Sequence, residues 1–402
     1  MPRAFRCLAV LTLLALPAIF LPAGCESGGD KPVPSGTTDF PLGPDESGLN
    51  IFDVQPKGGY SLARDPFGRL FALVPKGKEI PEGVTASFPP TSIIRVPVER
   101  VVVASGTYDP GLIIALGKGD TIIGSSDPEA EWDLPEMIKR YREGKVRFVG
   151  YFNALDYENI VRMSPELVLA SSPGMVADLN YLGLAAIGTY NNFENDIDSY
   201  LRLLAFMGAL FGAEEEAALR VSDIKTALSD IRAKVRDLEQ PKFTWGTYWD
   251  KRVFVLSSHY WLTELMTLCG GDYVFGDSGV GNVSFSLEEF LVRSGEADIY
   301  FASYGHDPGP ETLEDLIKKS PDLSGLRAFA ERGMVVMTEP ILWQESGQMD
   351  KLAYEMAALF HPEVYPQRNL EFIRILSNKT DIPFKGRPRG KPEVETEGGW
   401  EE

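Results

Sequence analysis

Few side chains in this sequence are equipped for bond-making chemistry. Its 402 residues hold three histidines, His259, His306 and His361. Zinc and manganese sites draw several imidazoles and carboxylates into one cleft, which leaves a bare-ion site here short of ligands. A single axial imidazole from His259 or His306 to a metal inside a larger ligand stays open, beside the plainer reading of solvent-facing loop histidines. Ser257-Ser258-His259 sets a hydroxyl beside an imidazole, but a nucleophile and its base are defined by geometry rather than adjacency. Neither a Gly-x-Ser-x-Gly elbow nor a P-loop occurs. The expectation is therefore no catalytic residue, no metal site and no cofactor of the protein's own.

Aromatic residues are more promising. Ser105, Tyr108, Asp127, Trp132, Tyr151, Asn153 and Ser171 follow apolar strand-like runs in one half of the chain. Tyr248, Trp249, His259, Tyr260, Trp261, Tyr304, His306 and Trp343 do so in the other. Of these, Tyr108, Trp132, Tyr151, Tyr248, Trp249, Tyr260, Trp261, Tyr304, His306 and Trp343 are the candidate ligand-binding residues. Ligands of open α/β lobes sit beyond the carboxyl ends of strands, so these positions are where contacts belong. Rings with scattered polar groups suit a large flat ligand, although the same rings also close ordinary cores. Basic residues near these positions are few beyond Lys251 and Arg252, which points away from a strongly anionic ligand.

The elements that must position these residues read as two α/β units. Val101–Ala104, Thr121–Gly124 and Leu167–Ala170 are short apolar runs, as expected of strands covered on both faces. Ser105–Pro110 reads as turn chemistry, and Leu112–Gly117 as a helix ending at glycine. A helix is expected from Asp156 to Met163. The pattern restarts with strands at Phe243–Gly246, Val253–Leu256, Ile299–Ala302 and Met334–Met337 and a helix over Trp261–Leu268. Between the halves, 213–239 contains neither Gly nor Pro. Ala217, Val221, Ile224, Leu228, Ile231, Val235 and Leu238 draw one apolar stripe along it, predicting a single long helix.

The N-terminus carries Arg3 and Arg6, an apolar run over 7–20, and Leu21-Pro22-Ala23-Gly24-Cys25. That is the layout of a secretory signal, and the run falls short of the ~20 residues of a membrane span. Cys25 after Ala-Gly is similar to a bacterial lipobox, which implies lipidation of that cysteine; an ordinary secretory signal is the alternative. With Cys7 in the signal and Cys25 acylated, Cys269 is left alone in the apolar run Leu265–Cys269, and packing is its expected role. Formal net charge is −19, or about −21 once Arg3 and Arg6 leave, a field that repels nucleic acid. The expected order is signal 1–24, lipid-anchored flexible tether 25–59, β extension 60–97, first lobe 98–212, connecting helix 213–239, second lobe 240–385 and disordered tail 386–402.

Over about 98–377 the chain resembles the iron-siderophore and vitamin B12 family of ABC-transporter binding proteins. The resemblance is carried by Pro97–Val103, Ile114–Gly124, Val149-Gly150-Tyr151 with Asp156–Ile160, and Ser164–Ala170. Gly270–Phe275, Ser286–Glu289, Ala297-Asp298-Ile299 and His361-Pro362-Glu363 extend it in order. It departs at Pro165-Glu166, where the family usually has Pro-Asp. The resemblance implies two Rossmann-like lobes with mostly parallel sheets joined by one long rigid helix, here with a small N-terminal β extension. It implies an exported monomer, lipid-anchored, that captures a metal chelate (ferric siderophore, cobalamin or haem) and hands it to an ABC permease and its cytoplasmic ATPase. It also implies that Glu158 and Glu288, each in the first turn of a surface helix, dock onto the permease; Glu289 is equally compatible with the second position. A bare-ion carrier and a surface receptor without transport are the alternative readings.

Overall fold

The computed structural model describes residues 49–189, 196–249, 252–279, 283–304, 309–329, 333–366 and 370–376. Cys25, His306, the side chain of Trp249 and the 386–402 tail lie outside these residues.

The chain opens with a four-stranded sheet. Strands β1 (Val54–Lys57), β2 (Tyr60–Arg64) and β3 (Leu70–Pro75) form an antiparallel meander. After a short helix, α1 (Val84–Ser87), strand β4 (Ile93–Val96) adds in parallel to β3. The sheet thus begins inside the stretch expected as tether. β1 is an edge strand with mostly exposed side chains, so it lacks the alternation that marks a half-buried strand. Phe71, Leu73 and Ile94 on one face join the main core, where Phe52 meets the Phe206 ring at 5.6 Å.

The first lobe alternates strand and helix: β5 (Val101–Ala104), α2 (Tyr108–Ala115), β6 (Ile122–Ser125), α3 (Pro135–Arg142), β7 (Arg147–Phe148), α4 (Tyr157–Met163), β8 (Leu167–Ala170), α5 (Pro173–Tyr181), β9 (Ala186–Gly188) and α6 (Ile197–Phe211). Its sheet runs β7-β6-β5-β8-β9, every pair parallel. β5 and β8 are buried throughout, which is why both read as unbroken apolar runs. One expectation is corrected here: Tyr108, Asp109 and Pro110 are the first turn of α2, not a turn before it. Proline is tolerated in a first turn because the amide it lacks has no partner within the helix.

Helix α7 (Glu214–Val235) follows, 22 residues or about 33 Å at 1.5 Å per residue. Ala217, Ile224, Leu228, Ile231 and Val235 of the expected stripe are buried. The second lobe contains β10 (Lys242–Trp249), β11 (Arg252–Val255), α8 (Trp261–Leu268), β12 (Asp272–Tyr273), β13 (Val283–Ser286), α9 (Leu287–Ser294), β14 (Ile299–Ala302), α10 (Leu313–Lys319), β15 (Met334–Thr338), α11 (Ile341–Gln344), α12 (Met349–Phe360) and β16 (Ile373–Leu376). Its sheet runs β13-β11-β10-β14-β15-β16, with β12 beside β10. β10, β12, β14 and β15 are parallel, whereas β11, β13 and β16 join antiparallel. β10 runs on to Trp249, so Tyr248 stands within a strand rather than in the loop expected after it. His361 caps the end of α12. Its buried ring lies 3.2 Å from the Gly270 carbonyl, a packing role.

Candidate ligand-binding cleft

Parallel strands point their carboxyl ends one way, and here those ends lie where the lobes meet. Helix α2 leaves the end of β5 and packs on α11, which leaves the end of β15. At their closest approach a Cβ on Gly111 would overlap the Gln344 carbonyl, and one on Gly347 would overlap Ala115. Small residues at these two places let the backbones touch. Ser346 Oγ donates to the Tyr108 carbonyl. Gln344 is fully buried, and Oε1 accepts from Asp133 N at 2.7 Å and Leu134 N at 2.9 Å while Nε2 donates to the Glu131 carbonyl at 2.9 Å. On the other side, Glu264 of α8 accepts from Ile197 N at 2.8 Å, capping α6 across the lobes.

The first-lobe face is polar. Asp109 is 3 % exposed, and its Oδ2 accepts from both Ser105 Oγ and Thr189 Oγ1. Burial pushes this carboxyl up to about 6, with the two hydroxyls pulling against it. Next along the sheet, Ser125 Oγ accepts from Asp127 N at 3.1 Å. The Asp127 carbonyl accepts from Trp132 Nε1 at 3.1 Å and from Tyr141 OH at 2.6 Å. Trp132 is buried, so its ring is a pillar of the 127–134 loop and offers no open face. At the end of edge strand β7, Phe148, Tyr151 and Phe152 are exposed by 39 %, 46 % and 61 %, with the first two rings 5.1 Å apart.

Rings make up the second-lobe face. Trp261 is buried at the seam, 6.1 Å from Tyr108, 5.8 Å from Tyr200 and 5.7 Å from Tyr260. Tyr108 and Tyr260 are half-buried against it. Burial raises the Tyr108 hydroxyl well above its ordinary value, with Tyr200, Tyr260 and Asp109 adding to the rise. Half-buried Trp343 meets Trp245 edge-on at 6.2 Å, and its buried indole N–H has no partner among the described residues. Lys319 Nζ stands 5.1 Å from the Tyr304 ring centre. His259 is exposed. Among the described residues no group of His, Cys, Asp and Glu is arranged to hold a bare metal ion.

The predicted residues thus divide. Tyr108, Tyr260 and Trp261 come together at the seam; Tyr151 lies at the rim of the first lobe, and Tyr304 and Trp343 lie at strand ends of the second. Sequence reasoning missed Asp109, Gln344 and Tyr200. Asp109 carried a signal, an acidic residue four places after Ser105 at a strand end, that passed as turn chemistry. Gln344 and Tyr200 carried none, since their partners lie in distant parts of the chain. Glu158 and Glu288 are both exposed and occupy matching places, the second residue of α4 and of α9. Asp156 caps α4 by accepting from Asn159 N at 3.0 Å, and Ser286 caps α9 by accepting from Glu289 N at 3.2 Å.

Residues 101–340 match the family described as periplasmic binding protein. The chain is 25 % identical over 362 residues to an uncharacterized lipoprotein of Methanocaldococcus jannaschii, covering 85 % of this chain and 84 % of that one. It is 24 % identical over 211 residues to a vitamin B12-binding protein of Vibrio vulnificus, covering 51 % of this chain and 72 % of that one. A periplasmic heme binding protein from Pseudomonas aeruginosa shares the fold, with a TM-score of 0.55 at 16 % identity over 70 % of this chain and 99 % of the other.

Proposed function

Since the chain belongs to the periplasmic binding protein family, we propose that it is the substrate-binding lipoprotein of an ABC importer. It takes a metal chelate, a corrinoid, haem or ferric siderophore, between the two lobes and delivers it to a membrane permease. The observation that carries this reading is the seam itself. The strand ends of two α/β lobes face each other there, one side bearing the Asp109 hydroxyl cluster and the other bearing Tyr260, Tyr304 and Trp343. Rings supply area for a flat ligand, and a few fixed polar groups orient it. The names borne by relatives, vitamin B12-binding and heme binding, support the same ligand class. Mass spectrometry of whatever co-purifies with the full mature chain tests the reading, and a corrinoid, haem or iron chelate is expected.

Delivery rests on Glu158 and Glu288. Each stands on a capped helix start that faces solvent, where a carboxylate is favoured by the free amides and remains available to an arginine on a partner. Anchoring rests on Cys25, whose counterpart reading gains support from a relative named a lipoprotein. Cys25→Ala should move the mature protein from the membrane to the soluble fraction; a wild-type protein found wholly soluble would overturn the anchor.

A further inference from the structure

Strand β9 ends the first-lobe sheet. Its inward groups serve β8: Thr189 N donates to the Ala170 carbonyl at 3.3 Å, and Val168 N to the Ala185 carbonyl at 2.9 Å. Its outward groups at Ala186 and Gly188 meet the β2–β3 turn of the N-terminal extension. Gly188 N donates to Asp65 Oδ2 at 3.1 Å, and Arg69 Nη2 donates to the Ala186 carbonyl at 2.8 Å. One carboxylate and one guanidinium therefore supply the acceptor and donor that a sixth strand would bring. Asp65 is fully buried and is itself fixed by Phe67 N at 3.0 Å, Arg69 N at 2.9 Å and Arg69 Nε at 3.0 Å. The Phe67 ring lies so close to Gly188 that any Cβ there would overlap it.

What this holds in place is one residue further on. Thr189 is the residue whose hydroxyl donates to Asp109, the buried carboxyl at the cleft face of the first lobe. We infer that the N-terminal extension is a clamp on the ligand cleft, in which Asp65, Phe67 and Arg69 hold β9 so that Thr189 and Asp109 keep their mutual geometry. The inference rests on the reading of this face as a ligand site. Asp65 and Phe67 are positioning residues that act through Thr189. The plainer role, extra stability from an added sheet, has a separate handle. Lys76 ties the same extension to Glu99 at 3.1 Å and Glu166 at 2.8 Å, through contacts that involve no residue of β9.

The test compares the full mature chain with Asp65→Asn, Phe67→Ala and, as control, Lys76→Ala. Amide exchange is followed across 184–189, and cyanocobalamin and haemin are titrated as probes. The clamp predicts exchange at Gly188 and Thr189 about tenfold faster in the first two variants, with the bound probe weakened about tenfold, and both readouts within about twofold of wild type in the control. Phe67→Ala carries the test alone if Asp65→Asn fails to fold. Unchanged exchange would overturn the clamp. Faster exchange with unchanged probe affinity would overturn its role in the cleft. Wild-type protein that binds neither probe counts against the ligand reading, and the exchange result still decides the clamp.

Discussion

The two faces of the cleft are built from different material, and the difference follows from their sheets. The first lobe is wholly parallel, and around Asp109 its strand ends carry small polar residues: Ser105, Ser125, Ser126 and Thr189. The second lobe mixes directions, and its β10–β11 hairpin carries Tyr248 in the strand and leads into Tyr260 and Trp261. Each buried ring brings about 150–250 Å² of surface, roughly 4–6 kcal/mol by area, against about 1.5–3 kcal/mol for a hydrogen bond to a charged group. On these magnitudes, in the proposed site the ringed face would supply affinity and the Asp109 face orientation.

That contrast can be broken at several places, and the largest effect belongs to the one feature the lobes share. Glu158→Arg with Glu288→Arg should abolish uptake into cells while ligand affinity stays within about threefold, because docking to a cationic partner depends on the sign of charge. Uptake that survives would remove both residues from docking. Truncating the buried ring at the seam should cost less in function and more in fold. Trp261→Ala is expected to lower unfolding free energy by about 3–5 kcal/mol in a denaturant titration, since Tyr108, Tyr200 and Tyr260 all lose their partner. A loss under about 1 kcal/mol would show that the seam is not packed as described.

Gln344→Leu should follow, at about 1–3 kcal/mol, by leaving Leu134 N buried without an acceptor. Scattering by this variant should also show a larger radius than wild type, because the residue bridges the lobes. The smallest effect concerns Asp109. Its carboxyl rises from 3.8 to about 6 on folding, so the folded chain holds the proton to higher pH than the unfolded chain. Stability from this group therefore falls as pH rises from about 4 to about 6. Asp109→Asn should melt a few degrees above wild type at about pH 7.5 and match it at about pH 4. A difference that does not change with pH would contradict the buried, poorly compensated carboxyl.

Much of this architecture was legible in the residue pattern. Fully buried strands such as Val101–Ala104 and Leu167–Ala170 must be apolar on both faces, and the stripe on α7 repeats at helical spacing over 22 residues. What escaped depends on distant partners. β1 is an edge strand whose exposed Gln55, Pro56 and Lys57 resemble a linker, and only its pairing with β2 makes it a strand. Candidate ligand residues were legible as a type, rings near strand ends, but not one by one. Trp132 and Trp261 have the same composition signal as Tyr260 yet are buried, because accessibility is decided by Asp127, Tyr108 and Tyr200 in space. Gln344 and Asp65, which tie separate parts of the chain together, look like ordinary surface polar residues until their partners are known.

The most direct measurement is equilibrium titration of the full mature chain with cyanocobalamin, haemin and a ferric siderophore, followed by the fluorescence of the tryptophans. One of the three is expected to bind saturably at one molecule per chain, with quenching, and Tyr260→Ala with Tyr304→Ala should weaken that binding more than Asp109→Asn does. No saturable binding of any of the three, or binding indifferent to the loss of both rings, would contradict a ligand held between the two lobes.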